Sequence, residues 1–460
     1  VSTRPPRVLV VGGGYVGMYT ALRLLRRLRP GEASVTVVDP RSYMTYQPFL
    51  PEAAAGSIQP RHVVVPLRRV LGGADVITGA VTRVDLAART AEVMPLEGEA
   101  FTLAFDQLVV AVGSVSRTLP IPGLAEVGTG FKTVEEAIQL RNRVVECLDI
   151  AESTRDPAVR ARNLSFVVVG GGYAGIEALG ELQDMCTYAT RYYPSIAAAD
   201  PVWHLVEASG RILPEVSEGL GRYTLDQLRQ RGIVCHLDTR LESCVDGHVV
   251  LSDGTQLEAE TLVWTAGVRP APVVADLGLP LDERGRVRCE ATMAVVGAPG
   301  VWAAGDAAGV PDLTQPGQVC APSAQHAVRQ AGRLGDNVVA ALRGQPPQEY
   351  RHSYAGSVAS LGLYRGVAEI YGVRLRGFPA WFMHRTYHVS RVPTLARKVQ
   401  VVADWTQGLF FSRDVVSLWS MHDPFRAFTT AATQTATPAG VRPHPADPDL
   451  PPPPAAIQQP

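Results

Sequence analysis

Short, wholly apolar runs closed by glycine alternate along this chain with longer stretches whose apolar residues recur at helical intervals. Val8-Leu9-Val10-Val11 ends in Gly12-Gly13-Gly14, a helical pattern follows through Leu28, and the strand-like run Val35-Thr36-Val37-Val38 ends in Asp39. The same order of strand, glycine turn, helix and strand returns at Phe166-Val167-Val168-Val169-Gly170-Gly171-Gly172 and closes with Trp203-His204-Leu205-Val206-Glu207. Each is a βαβ unit, so one mononucleotide-binding device is present twice. Strands at 108–111 and 262–265 lead into the small-residue turns Val112-Gly113-Ser114 and Ala266-Gly267-Val268, and Val301-Trp302-Ala303-Ala304 runs into Gly305-Asp306. The pattern predicts an α/β protein with two Rossmann-like dinucleotide-binding domains. Residues 1–130 with 270–350 form the first, and residues 131–269 form the second, inserted into it.

From about Tyr354 the pattern changes to aromatics mixed with arginine. Phe378, Trp381 and Phe382 fall at i, i+3 and i+4, Val402, Trp405 and Leu409 repeat at helical spacing, and Pro393 interrupts the run. Two short amphipathic helices are predicted. Aromatics on one side and arginines such as Arg385, Arg391 and Arg397 on the other suit helices lying in an anionic membrane interface. A helix packed on the core or on another subunit would carry the same pattern. Residues 351–428 are assigned to this C-terminal amphipathic, membrane-facing module. Residues 429–460, rich in Ala, Thr, Pro and Gln, are expected to be a disordered tail with too little apolar surface to fold alone.

Composition narrows the classes. With 46% hydrophobic residues over 460 positions, most of the chain must bury a core. The 43 basic and 44 acidic residues argue against a nucleic-acid binder, which needs a strongly basic face. No stretch approaches the roughly 18 apolar residues that span a bilayer, and Pro5-Pro6-Arg7 leads into the first strand with no secretory-leader pattern. Cys147, Cys186, Cys235, Cys244, Cys289 and Cys320 are scattered without C-x-x-C spacing, which leaves neither a redox dithiol nor a zinc knuckle and fits a reducing compartment. Nearly every cation is arginine, the only lysines being Lys132 and Lys398, which reads as coding bias.

Gly12-Gly13-Gly14-Tyr15-Val16-Gly17 is a G-x-G-x-x-G loop. Its first glycine allows the tight turn, its second lets the backbone approach a pyrophosphate, its third lets helix pack on strand, and the helix N-terminus faces the anion. Asp39 is placed to accept hydrogen bonds from a ribose diol. The second loop, Gly170-Gly171-Gly172-Tyr173-Ala174-Gly175, ends its unit at Glu207. A carboxylate there accepts from a free 2′-hydroxyl and repels a 2′-phosphate, favouring NADH over NADPH. Arg211 would favour the phosphate unless it is a surface or domain-contact arginine. Two such sites in one chain imply electron transfer between a flavin and a nicotinamide, with hydride passing to the flavin. Asp306 is either an acid for the flavin's ribityl chain or a helix N-cap.

On these loops and several further stretches the chain resembles type II NADH dehydrogenase, a family of glutathione-reductase-like flavoproteins with two dinucleotide-binding domains. The stretches are Asp39-Pro40-Arg41-Ser42-Tyr43-Met44-Thr45-Tyr46-Gln47-Pro48-Phe49-Leu50-Pro51-Glu52, Val206-Glu207-Ala208 with Arg211-Ile212-Leu213-Pro214, Trp264-Thr265-Ala266-Gly267-Val268-Arg269, Ala304-Gly305-Asp306-Ala307 and Ala324-Gln325-His326-Ala327. Together they reach over roughly residues 7–417. Met44 stands where family members commonly carry histidine.

The resemblance implies a single-chain, non-proton-pumping NADH:quinone oxidoreductase of respiratory electron transport, with FAD and NADH as cofactors and no metal. Its acceptor would be a quinone, menaquinone-like by analogy, and its place the cytoplasmic side of the cell membrane, attached peripherally; it leaves room for a homodimer. FAD contacts are carried over to Gly12, Gly13, Gly14, Tyr15, Val16, Gly17, Asp39, Pro40, Val81, Ala111, Gly113, Asp306, Ala324 and Gln325. NADH contacts are carried over to Gly170, Gly172, Gly175, Glu177, Glu207 and Gly267. Glu177 is placed near the flavin ring in proton or charge transfer to quinone, and Gln325 between flavin and quinone headgroup. The plainer readings are an acid in a first helical turn, favoured by the macrodipole, and a surface glutamine. His326 has no assigned role. Disulfide reductases of this architecture need two thiols beside the flavin; with no such pair, electrons leave directly for the acceptor. A soluble NAD(P)H oxidase or diaphorase would be indifferent to quinone, and a non-catalytic NADH sensor would be reoxidised slowly by every acceptor.

Overall fold

The computed structural model describes residues 4–352, 356–411 and 413–417. Its first strand, Arg7–Val11, is apolar on both faces and buried beyond Arg7, which suits a central position in a parallel sheet covered on both sides. Seven strands form that sheet in the order Val301–Ala303, Gln107–Val110, Arg7–Val11, Ser34–Asp39, Asp75–Asp85, Thr90–Pro95 and Phe101–Ala104. The first five run parallel, and the last two extend the sheet as an antiparallel meander. The helices Tyr15–Arg27 and Ala324–Leu342 pack against each other, so the glycine loop and the Ala324-Gln325 turn share one end of the sheet.

A second sheet has five parallel strands in the order Gly128–Gly130, Thr261–Trp264, Ser165–Val169, Val202–Val206 and Val234–His236. The expected boundary at residue 131 therefore falls too late. Gly128-Thr129-Gly130 is an edge strand with no apolar side chain to mark it, and only its pairing with Leu262, Val263 and Trp264 reveals it. The chain passes between the two sheets through Ser114–Ser116 and Val268–Pro270, which pair antiparallel.

The C-terminal module opens with the antiparallel strands Gly356–Ser360, Gly366–Ile370 and Val373–Arg376. Two helices follow, Phe378–Arg391 and Leu395–Phe410. Pro393 separates them, and Thr394 caps the second by accepting from the Arg397 amide at 3.3 Å. The expected separation of aromatics from arginines does not hold. Arg385 lies over Trp381 and Trp405, its guanidinium carbon 4.2 and 4.7 Å from their ring centroids. Its charge faces inward because Glu52, only 1% exposed, needs a partner, and the two meet at 2.8 Å. The outward face is apolar instead, with Phe378, Phe382, Leu395, Val399, Leu409 and Phe410 all exposed. No helix among the described residues is long and apolar enough to cross a membrane. The expected tail at 429–460 lies outside the described residues, as does part of the module expected at 351–428.

Candidate functional site

Both glycine loops are built the same way. Gly12 and Gly170 adopt φ of 102° and 113°, a region that side chains avoid. A Cβ on Gly17 would stand 1.7 Å from the Gly12 carbonyl oxygen, and one on Gly175 1.9 Å from that of Gly170. These glycines hold turn and helix together. Gly14 and Gly172 differ: a Cβ on either would meet nothing within 4 Å. That open side, at a helix N-terminus whose first amides lack partners, is the space a pyrophosphate needs.

The acids at the ends of the second strands latch these loops. Asp39 accepts from the Gly13 amide at 2.6 Å and the Arg41 amide at 2.7 Å. Burial pushes its pKa up, against the pull of those two amides. Glu207 accepts from the Gly171 amide at 2.6 Å and from the Ser209 amide and hydroxyl at 2.8 and 2.7 Å. Arg211 directs its guanidinium to the Val216 carbonyl at 2.6 Å, five residues along the same segment.

A cavity of about 500 Å³ opens above the first loop. Of the residues expected to hold a flavin, Gly14, Tyr15, Val16, Asp39, Ala111, Gly113, Asp306 and Ala324 line it, and so does Met44. Gly12 and Gly13 lie in the turn beneath, and Gly17 in the first turn of the helix Tyr15–Arg27. Pro40 is exposed beside Asp39. Val81 is buried in its strand, 5% exposed, and is not among the residues lining the cavity. A second cavity of about 560 Å³ shares Gly305 and Asp306 with the first and carries Arg117, Arg269, Arg284 and Arg286. The acid thus stands between two openings, the farther one cationic. This open-sided glycine loop, anion-seeking helix end and flanking acid fit a flavin dinucleotide.

Two cavity residues went unnoticed in the sequence. Ser114 donates to Asp306 at 2.5 Å, and Lys132 lies 3.6 Å from the same carboxylate while bonding the Ser114 hydroxyl. Burial lowers the Lys132 pKa, and Asp306 offsets that. The signal available was that Lys132 is one of two lysines among 43 cations, sitting before the capping box Thr133/Glu136.

Gln325 follows Ala324 in the first turn of its helix. Its amide donates to the Gly356 carbonyl at 3.2 Å and its oxygen meets His352 Nε2 at 2.9 Å. His326 is turned to the Tyr350 hydroxyl at 2.9 Å, and burial lowers its pKa. Glu177 is not in a first turn: the helix Tyr173–Ala189 begins four residues earlier. It is 8% exposed and held by the C-terminal module, through the Ser360 amide at 3.0 Å and His384 Nε2 at 3.0 Å. Gly267 lies in the exposed turn facing the second loop's strand end, at φ 91°. All six cysteines are free thiols, five of them buried.

Comparison with known proteins agrees with this geometry. The model of the pyridine nucleotide-disulphide oxidoreductase family matches residues 6–331. The type II NADH:quinone oxidoreductase of Staphylococcus epidermidis is 30% identical over 386 residues, covering 82% of this chain and 93% of that protein. The type II NADH:quinone oxidoreductase Ndh of Mycobacterium tuberculosis is 28% identical over 423 residues, covering 88% and 89%. The structure of NDH2 from Plasmodium falciparum in complex with NADH superposes with a TM-score of 0.82 at 17% identity, covering 90% of this chain and 100% of that one. The chain belongs to the pyridine nucleotide-disulphide oxidoreductase family and, within it, to the type II NADH:quinone oxidoreductases.

Proposed function

We propose that the protein oxidises NADH and passes two electrons through FAD to a membrane quinone, without pumping protons. The observation that carries this is the pair of open-sided glycine loops, each latched by its own acid, in a chain whose flavin-side cavity has no cysteine pair to receive electrons. FAD supplies the hydride acceptor and hands electrons on singly or in pairs. The chain's residues do the rest. The helix N-terminus at Gly14 binds pyrophosphate, Asp306 with Ser114 and Lys132 orients the ribityl side, and Glu207 selects NADH by its ribose. Gln325 borders the acceptor, and Glu177 holds a proton near it.

The exposed apolar face of the two C-terminal helices attaches the protein peripherally to the cytoplasmic side of the membrane, where a menaquinone-like acceptor is dissolved. The test is anaerobic. NADH should bleach the visible flavin band faster than NADPH, and a short-chain quinone should restore it rapidly. Bleaching without recovery by quinone would remove the acceptor and leave an oxidase or a sensor. Protein that purifies without flavin would remove the whole reading.

A further inference from the structure

Behind Glu177 lies a line of titratable groups drawn from three helices. The helix Tyr173–Ala189 brings Glu177 and Glu181, the helix Leu50–Ala54 brings Glu52, and the helix Phe378–Arg391 brings His384, Arg385 and His388. Ser360 joins the first two, donating its amide to Glu177 at 3.0 Å and its hydroxyl to Glu181 at 3.1 Å. His384, 1% exposed, sets Nε2 at ion-pair distance, 3.0 Å, from Glu177, and neither of its ring nitrogens makes an aligned hydrogen bond among the described residues. One turn on, the His388 ring stands 4.5 Å from that of His384, centroid to centroid. The Tyr46 hydroxyl donates to the His388 carbonyl at 3.0 Å and lies 3.3 Å from His388 Nδ1, from which it can accept. Tyr46 in turn packs on Tyr15, ring centroids 6.2 Å apart, and Tyr15 lines the flavin-side cavity. At the far end Arg385 pairs with Glu52 and lines a cavity of about 170 Å³ beneath the C-terminal helices, beside Asp404.

Packing does not require this cluster, since buried charges are commonly no better than apolar residues of the same volume. Quinone reduction does supply a need. The balance is NADH, one proton and quinone giving NAD⁺ and quinol. Hydride brings one of the two hydrogens, and the other must be delivered as a proton. We propose that His384 and His388 carry this proton from the Glu177–Glu181 pair to Tyr46, whose ring packs on Tyr15 at the flavin-side cavity. His384 exchanges it with Glu177, His388 takes it over, and Tyr46 gives its own proton to the reduced quinone oxygen as His388 returns one, so each group ends as it began. One proton enters from the cavity beside Arg385 per quinol formed. The inference rests on the quinone reductase reading above.

The environments suit these roles. Burial alone would lower the His384 pKa, but the Glu177 carboxylate, with Glu52 and Glu181 beyond it, raises it. Burial, then the charge of His384, pushes the pKa of His388 well down, so it rests as a neutral acceptor. Burial, reinforced by Glu52, raises Glu181 to about 7, against the pull of Arg385 and Arg413; Asp184 adds to the rise.

The test uses the FAD-loaded protein and the variants H384Q, H388N and Y46F with two acceptors, ferricyanide, which takes electrons without protons, and a short-chain quinone. In H384Q and H388N, kcat with quinone should fall at least about tenfold with KM within about threefold, and the solvent isotope effect should rise. Turnover with ferricyanide should stay within about twofold. Histidine-labelled NMR supplies a readout apart from turnover: the signal lost in H384Q should titrate above the ordinary histidine range in wild type, and E177Q should bring it down. Unchanged quinone turnover in all three variants, or an equal fall with both acceptors, would overturn the relay. A wild-type protein that ferricyanide reoxidises and quinone does not would overturn the functional reading and the relay with it.

Discussion

Asp39 and Glu207 each accept a hydrogen bond from an amide of their own glycine loop. An exchange at Glu207 meant to admit NADPH should therefore loosen the loop as well as free the ribose. E207A is expected to raise the KM for NADH at least about tenfold without creating useful NADPH activity, which steady-state kinetics with both nucleotides will check. The glycines separate two failures. G14V adds bulk only on the open side, so the protein should fold with a near-normal melting temperature and purify without its visible flavin band. G17A meets the Gly12 carbonyl at 1.7 Å and should lower stability by about 1–3 kcal/mol in urea unfolding. The Glu177–His384 pair makes a pH prediction. Because the folded His384 pKa is raised, its contribution is complete below the ordinary histidine pKa of about 6.5 and is lost as pH rises through the folded value. The melting-temperature gap between wild type and E177Q should shrink on going from pH 6 to pH 9. At this scale the glycines and the acids at strand ends were legible, since their roles depend on neighbours close in sequence. Ser114, Lys132, His384 and His388 were not, since each acts on a residue far along the chain.

The helix Phe378–Arg391 has two faces with different tasks. Arg385 fills the inner one, between two tryptophans and Glu52, while Phe382, 55% exposed, stands on the outer one. R385A leaves Glu52 buried without its cation, and a loss of about 3–5 kcal/mol is expected in urea unfolding. F382A should leave unfolding unchanged and weaken flotation with anionic vesicles. A result with those two effects exchanged would reverse the assignment of the faces. Helical periodicity and Pro393 were enough to place both C-terminal helices from the sequence. They could not orient them, because a cation–aromatic pattern looks the same whether the cation meets lipid phosphate or a buried carboxylate. The edge strand Gly128–Gly130 stayed hidden for a related reason: it contributes backbone to the sheet and almost nothing to the core.

Taken as a whole molecule, the two dinucleotide domains and the C-terminal module through residue 416 pack as one unit. The doubled βαβ pattern was legible because the first strand of each unit ends in an unbroken apolar run closed by three glycines and the second ends in an acid, while the interlocking of the third module could be seen only in three dimensions. Gly180 is where that module approaches the NADH-side helix: a Cβ there would fall 2.6 Å from the Leu361 backbone. Below that contact, Arg231 ties Asp184 at 2.8 Å, and the Leu363 amide reaches the same carboxylate at 2.6 Å. The helix that starts on the second glycine loop is therefore fastened along its length to the C-terminal module. This bears on how such proteins can be recombined. The C-terminal module is not a cassette: grafting one from a relative would succeed only if Glu52, Glu177, Gly180, Glu181 and Asp184 travelled with the residues that answer them.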